Sequence, residues 1–407
     1  MNFATPYFTR YKALPPFFSD QPDEHLAIIF VIPCYDDAFI FETLASLNKA
    51  SRIVSKFEVI VVVNSGEKTP VEIVKRNRAI YKQLQHQSEE AYYKNFRLLP
   101  VLVEGTVKKK AGVGFARKTG MDEAVIRFDA VNNPEGLIVS LDADTLVAAN
   151  YLQVMESAYN REETCFTFQF QHHFDKERYS DKEIRACKLY EMYLRYYRLA
   201  LKTLNVPFSI HTIGSCFAIR AGAYIKSGGM PVRQAGEDFY FLQKAVKMIP
   251  VCELKEPVVY PSPRISERVP FGTGASIRNI IADGNYYVCN FGLFGLLKTF
   301  YELFPVMEHA DMQDSIPAEI IEFIGITVLN QILAECRKYS SSSRTFLKRM
   351  YDKFDAFFIV KFLNDAGHKT AYPPVDVTAA ATALLLYYDK IPGHDLYEQM
   401  LLLDRTI

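Results

Sequence analysis

The sequence has no tryptophan, no CxxC pair, no surplus of either charge and no apolar run long enough to cross a membrane. Lysine plus arginine and aspartate plus glutamate stand at 47 each, so no whole-chain basic field exists to hold nucleic acid non-specifically. The cysteines (Cys34, Cys165, Cys187, Cys216, Cys252, Cys289, Cys336) are odd in number and widely spaced. That speaks against a zinc site and for reduced, mostly buried thiols in a reducing compartment. The most apolar stretch, Val377 to Tyr388, is too short for a span and fits a buried helix. Met1 to Pro6 shows no basic segment leading into an apolar one, so no secretory signal is expected. A cytoplasmic protein is the expectation. Peripheral contact with the inner face of a membrane stays open through Phe291–Phe300, which reads first as a core helix. Aromatic content rests on 30 Phe and 25 Tyr; these can platform sugar rings, but most serve as core.

What the sequence does contain is a globular balance, 49% apolar and 23% charged over 407 residues. That length fits two to three domains, or one large domain with an appendage. Met1–Glu24 is rich in proline and aromatics, lacks period, and reads as an irregular surface arm. His25–Ile32 and Phe57–Val63 are short, continuous apolar runs, the pattern of strands buried on both faces of a parallel sheet. Pro33 is expected to stop the first strand's pairing, and Asp36 or Asp37 to cap the helix after it. A polar helix over Val71–Gln87 and a strand over Phe96–Val103 follow. The alternation predicts a doubly wound α/β plan, whose ligands bind beyond the carboxyl ends of the strands. Tyr35–Asp37 and Asn64–Ser65 fall at that edge.

The chain is organised around Gly136–Val147, GLIVSLDADTLV. A buried strand, Leu137–Leu141, runs into Asp142 and Asp144. Residues of like parity share a face, so both carboxylates address one spot if strand geometry persists that far. Close carboxylates repel unless a cation or water separates them. Their oxygens suit Mg2+ or Mn2+, completed by substrate phosphates. An acidic turn after a strand is the plainer alternative.

Upstream, Lys108–Gly120 (KKKAGVGFARKTG) sets glycines before a helix that runs through Val131, where backbone amides can approach an anion. Lys110, Arg117 and Lys118 add positive charge. A solvated basic loop looks the same, and the spacing is neither a P-loop nor a dinucleotide fingerprint. Downstream, Asn150 is expected to cap a helix to Tyr159, and Cys165–Phe174 alternates like a strand. His172 and His173 then point to opposite faces, so at most one can serve a given ion. A capping box at Ser180–Glu183 opens a long helix to about Leu204. The Gly-rich turn ending at Gly236 delivers Glu237 and Asp238 to the first turn of another helix. The helix dipole favours carboxylates there, and one can act as a general base. Val258–Gly274 reads as a mobile loop carrying Arg264 and Arg268, suited to closing over a diphosphate. From Ala275 the pattern is helical, with no catalytic constellation.

Four blocks occur in order: IIFVIPCYDD with VIVVVNSGE, GVGFARKTGMDEA, IVSLDADT, and GSCFAIRAGAYIKSGGM followed by AGEDFYF. Together, over roughly Ile28–Leu242, they resemble the family 2 glycosyltransferases of the GT-A fold. The C-terminal third carries no such likeness. The resemblance implies an α/β catalytic domain over residues 1–274, Rossmann-like with a mostly parallel central sheet flanked by helices; the helical pattern itself marks 275–407 as an accessory domain. It implies a UDP- or GDP-sugar donor, a divalent cation (Mn2+ or Mg2+), and a glycan, lipid-linked or small-molecule acceptor, as in polysaccharide biosynthesis.

By likeness, Asp142 would contact ribose or metal, and Asp144, the second carboxylate of the DXD motif, would ligate the metal at the diphosphate. Pro33, Tyr35 and Asp37 match the segment lining the nucleotide. Lys110 and Arg117 fall near the positions facing base and phosphates, with Gly114 between them. Asp238 matches the base of inverting members, with Glu237 beside it near the acceptor. Arg264 and Arg268 would come from the closing loop. Two departures stand out. Asn64-Ser65 occupies the place of the usual acidic pair, which bears on the donor base, and Arg233-Gln234-Ala235-Gly236 replaces the usual aromatic-Gly-Gly. The expected chemistry is a single displacement with inversion. Retaining transfer, nucleotidyl transfer and a catalytically silent glycan-binding scaffold on the same fold are the alternatives.

Overall fold

A computed structural model describes residues 2–12, 14–107, 111–234, 236–265, 272–369 and 371–407. The chain forms two compact units, Met1–Ser180 with His211–Ala275 and Asp181–Ile210 with Ser276–Ile407. The segment Asp181–Ile210 precedes the boundary expected between 274 and 275, yet it groups with the C-terminal helices.

The first unit is built on a mixed, mostly parallel sheet. Its strands are β1 (Leu26–Cys34), β2 (Lys56–Gly66), β3 (Arg97–Thr106), β4 (Leu137–Ser140), β5 (Thr145–Val147), β6 (Cys165–Phe170), β7 (Phe217–Arg220) and β8 (Cys252–Pro261). The spatial order is β3-β2-β1-β4-β7-β6-β8-β5. β3, β2, β1 and β4 run parallel. β7 runs antiparallel to both β4 and β6, and β8 is parallel to β6. Two reversals restore direction, so β6 and β8 end at the same edge as β1, β2 and β4, and β7 begins there.

Every residue of β1 is buried, which suits only a strand covered on both faces. The Val113–Ala130 helix packs on β1 and β2. Gly120 permits this approach: a Cβ there would lie 2.5 Å from a Val31 methyl and 3.0 Å from one on Val62. Gly120→Ala is expected to overpack this contact and cost about 1–3 kcal/mol. Urea denaturation would show it as a lower midpoint at unchanged m.

The arm before β1 is more ordered than its sequence indicates and contains a helix, Thr5–Tyr11. It docks on the outer side of the Val113–Ala130 helix. The Ala4 amide donates to Asp129 (3.0 Å), the Tyr7 hydroxyl to Asp122 (2.9 Å) and the Phe17 amide to Glu123 (3.0 Å). Arg127, paired with Glu58, also reaches Asp20. Covered on both sides, this helix needs no polar face, and Asp122, Glu123 and Arg127 are buried.

Four local expectations change. Pro33 does not end β1, since it aligns with Val62 and Cys34 aligns with Val63. A proline withholds only its own N–H. Val258–Pro261 belong to β8 rather than to a loop, hydrogen-bonded to β5 and β6. Val258 and Val259 are fully buried there, so burial outweighs proline content. β6 stops at Phe170, short of Phe174. Asn150 sits at the N-cap of the Tyr151–Tyr159 helix, but its side chain donates to Glu256 instead of capping.

The second unit is mainly helical, as expected. It comprises Asp181–Lys202, most of the Thr273–Asp283 helix and the helices from Phe291 to Thr406, with a short antiparallel pair, Tyr287–Val288 and Val375–Asp376. In Phe291–Glu302, Leu293, Phe294, Leu297 and Phe300 are fully buried, so this apolar stretch is core. A charged cluster also lies inside. Asp404 accepts from Arg195 (2.6 Å) and Arg198 (2.5 Å), and Glu191 accepts from Arg195 (2.5 Å) and Tyr397 (3.0 Å). Among the described residues, no helix is long and apolar enough to cross a membrane.

Candidate active site

The shared strand edge gathers the charged residues that the sequence scatters. β4 ends at Ser140, and the chain turns at once, with the Thr145 amide donating to the Asp142 carbonyl (3.3 Å). Strand geometry therefore does not persist through Asp142 and Asp144, and the two carboxylates engage different arginines.

Asp142 accepts from Arg117 (2.9 Å). Arg117 lies within the first turns of the Val113–Ala130 helix and is only 2% exposed. Its Nε donates to Glu237 (3.1 Å), and Nη1 donates to the Gly214 carbonyl (3.0 Å) and the Ser140 hydroxyl. Burial alone would weaken this cation. Asp142, Glu237 and Asp238 outweigh it and hold Arg117 firmly protonated. Arg117 is thus a strut between the Asp-x-Asp turn and the Glu237–Ala245 helix.

Asp144 accepts from Arg264 Nε (3.0 Å), and the same guanidinium holds Asp37 through Nη1 (2.9 Å) and Nη2. Asp37 is buried, and its carboxylate also takes the Phe39 amide (3.2 Å) where the next helix begins. β8 delivers Arg264 to this edge, three residues beyond Pro261. The segment is fastened on the way: the Ser262 amide donates to the Asp144 carbonyl (3.1 Å), and the Ser262 hydroxyl meets Tyr179 (2.9 Å).

Glu237 and Asp238 open their helix after Gly236, which has φ 70°. That left-handed conformation suits glycine and turns the chain sharply. Glu237 is buried against Arg117, whereas Asp238 is half-buried and accepts the Phe239 amide (2.8 Å). Burial pushes the Asp238 carboxyl up to about 7; the charges of Glu237 and Asp142 add to this, and Arg117 opposes it. A half-buried carboxyl poised near neutrality is the electronic profile of a general base.

The remaining expected residues take supporting places. Asn64 is buried at the end of β2, donating to the Gly112 carbonyl (3.4 Å) and accepting from Asn77 at its own carbonyl (3.1 Å). The Gly114 amide donates to the Arg233 carbonyl (3.2 Å), and a Cβ on Gly114 would lie 2.6 Å from that oxygen. That glycine lets the segment before Glu237 close onto the helix start. Pro33 lies within β1, and Tyr35 is half-buried just beyond it. Lys110 and Arg268 lie outside the described residues.

Sequence reasoning missed Ser140, the Gly214 carbonyl, Ser262 and Tyr179. They become neighbours only through the order of β4, β7, β6 and β8. A cleft of about 530 Å3 lies at the opposite, N-terminal ends of β1 to β3, bordered by Arg52, Lys56, Lys94 and Arg97. None of the site carboxylates lines it.

Among the described residues, no group of three or more His, Cys, Asp or Glu side chains is placed to hold a metal ion unaided. The donor set still fits a hard divalent cation. Asp142 and Asp144 offer oxygens at side-chain exposures of 33% and 28%. Such cations commonly take one or two carboxylates and complete their shell with phosphate and water.

No known family profile and no curated protein matches the chain. Among solved structures, Staphylococcus aureus TarS 1–349 in complex with UDP-GlcNAc is similar at 14% identity, TM-score 0.41, over 81% of this chain and 91% of that one. The mannosyltransferase PcManGT from Pyrobaculum calidifontis, in complex with GDP-Man and Mn2+, is similar at 12% identity, TM-score 0.36, over 87% of this chain and 95% of that one.

Proposed function

We propose that the chain is a glycosyltransferase moving a sugar from a UDP- or GDP-linked donor to an acceptor hydroxyl on a glycan, a lipid-linked or a small-molecule acceptor. One observation carries this reading: Arg117 ties the Asp142–Asp144 turn to the Glu237–Asp238 helix start at one strand edge. A carboxylate pair suited to a cation and a near-neutral carboxyl sharing one site support this reading.

Asp142 and Asp144 would hold a Mn2+ or Mg2+ ion, which supplies charge stabilisation for the departing diphosphate. Asp238 takes the proton of the acceptor hydroxyl as that oxygen attacks the anomeric carbon, with inversion. The leaving bond is the one between the anomeric carbon and the diphosphate oxygen. Glu237, fixed by Arg117, keeps the negative field that holds Asp238 near neutrality. The setting is cytoplasmic, and residues 1–274 act as the catalytic domain with 275–407 as the accessory region.

Thermal unfolding against a panel of UDP- and GDP-sugars, with and without Mn2+, tests the assignment. A ligand at 100 times its Kd adds about 2.7 kcal/mol to the folded state, enough to move the midpoint by roughly a few degrees. The expected result is a Mn2+-dependent shift with one nucleotide family that disappears in Asp144→Ala. A folded wild type that no nucleotide sugar stabilises would remove the reading.

A further inference from the structure

Arg264 puts one positive charge against two carboxylates, Asp37 and Asp144. Its guanidinium donates to the same Asp144 oxygen from both Nε (3.0 Å) and Nη2. That oxygen belongs to the carboxylate proposed above to hold the divalent cation. A guanidinium and a divalent ion on one carboxylate repel each other at short range. The contact is not an incidental surface pair. Asp37 is 2% exposed and accepts from two nitrogens of the Arg264 guanidinium. The backbone on either side of the arginine is also held. Ser262 is bonded to Asp144 and Tyr179, and the Arg264 amide donates to the Ser262 hydroxyl (3.3 Å).

We propose that Arg264 is a tethered counter-ion that competes with the divalent cation for Asp144 and releases it when a nucleoside diphosphate arrives. The inference rests on the assignment of Asp144 to cation binding. A diphosphate offers the guanidinium a bidentate oxygen partner at least as good as the carboxylate it leaves. Asp37 stays with Arg264 and acts as the pivot. The cation therefore binds weakly alone and tightly together with nucleotide, and each raises the affinity for the other by the same factor. The arrangement keeps the carboxylate edge compensated between turnovers without a resident ion.

The test is direct Mn2+ binding by electron paramagnetic resonance, on the full chain, with UDP or GDP absent or present. Wild type is expected to bind Mn2+ alone weakly and at least ~10-fold more tightly with the matching nucleotide. Arg264→Ala is expected to bind Mn2+ alone ~10-fold more tightly than wild type and to lose most of the gain from nucleotide. Arg264→Lys, which keeps the charge beside Asp37, is expected to stay weak for Mn2+ alone; it remains informative if the alanine variant does not fold. Unchanged Mn2+ affinity in a folded Arg264→Ala, tight Mn2+ binding to wild type without nucleotide, or no Mn2+ binding in any variant each overturns the proposal. The outcomes also separate the two readings. Tighter Mn2+ in Arg264→Ala, with no sugar transfer by wild type, leaves the counter-ion standing and removes the transferase. Transfer with unchanged Mn2+ affinity does the reverse.

Discussion

Asp238→Asn is expected to lower kcat for sugar transfer by about a hundred- to ten-thousand-fold while leaving donor binding in place. The amide keeps the size and hydrogen-bonding shape of the carboxyl but cannot take a proton. In the wild type, kcat should rise with pH through the neutral region, because the base must be ionised and its carboxyl is pushed up to about 7. Stability should move the other way. The folded carboxyl holds a proton at pH values where the unfolded chain, with the ordinary value of 3.8, has lost it. The folded state binds more protons across that window, so this group's contribution to stability falls as pH rises from about 4 through about 7. Asp238→Asn is therefore expected to be more stable than wild type above neutrality and inactive there. Steady-state kinetics with thermal melts over the same buffers would show the two trends crossing. A variant with full transfer activity would remove Asp238 as the base.

Arg117→Leu is expected to cost about 3–5 kcal/mol of folding stability, the usual result of removing one partner from a buried charge pair. Glu237 is the reason. Its side chain is 3% exposed and would be left buried with no cation beside it. The Ser140 hydroxyl and the Gly214 carbonyl would lose a donor as well. Arg117→Lys should recover little, since an ammonium cannot reproduce the fork that spans Asp142, Glu237 and the Gly214 carbonyl. Chemical denaturation of the three proteins decides this. A lysine variant as stable as wild type would mean that charge alone, not the fork, holds the site.

The strands of the parallel half were legible because a strand buried on both faces must be a continuous apolar run, and Ile28–Ile32 and Val59–Val63 are such runs. The Asp-x-Asp turn and the Glu237–Asp238 helix start were legible for a similar reason: carboxylates at the ends of apolar segments need a local partner or a ligand. Their shared partner was not. Arg117 looks like one more cation in a basic stretch, and only the packing of its helix against β1 and β2 aims it inward. Arg264 was legible as a site residue, but its place just beyond a strand was hidden for a topological reason. Its prolines and glycines read as loop, whereas burial of Val258 and Val259 makes the preceding residues a strand whose direction brings the arginine to the edge. The ordered arm was hidden too, because its anchors are polar atoms on a helix far along the chain.

That distance has a consequence in the order of synthesis. The arm's hydrogen bonds reach across 125 residues from Ala4 to Asp129, 115 from Tyr7 to Asp122 and 106 from Phe17 to Glu123. During translation its binding face is therefore made after β1, β2 and β3, though before β4 to β8. The arm waits as an unpartnered, aromatic-rich leader while the sheet behind it assembles. It can settle only once the Val113–Ala130 helix has followed it out.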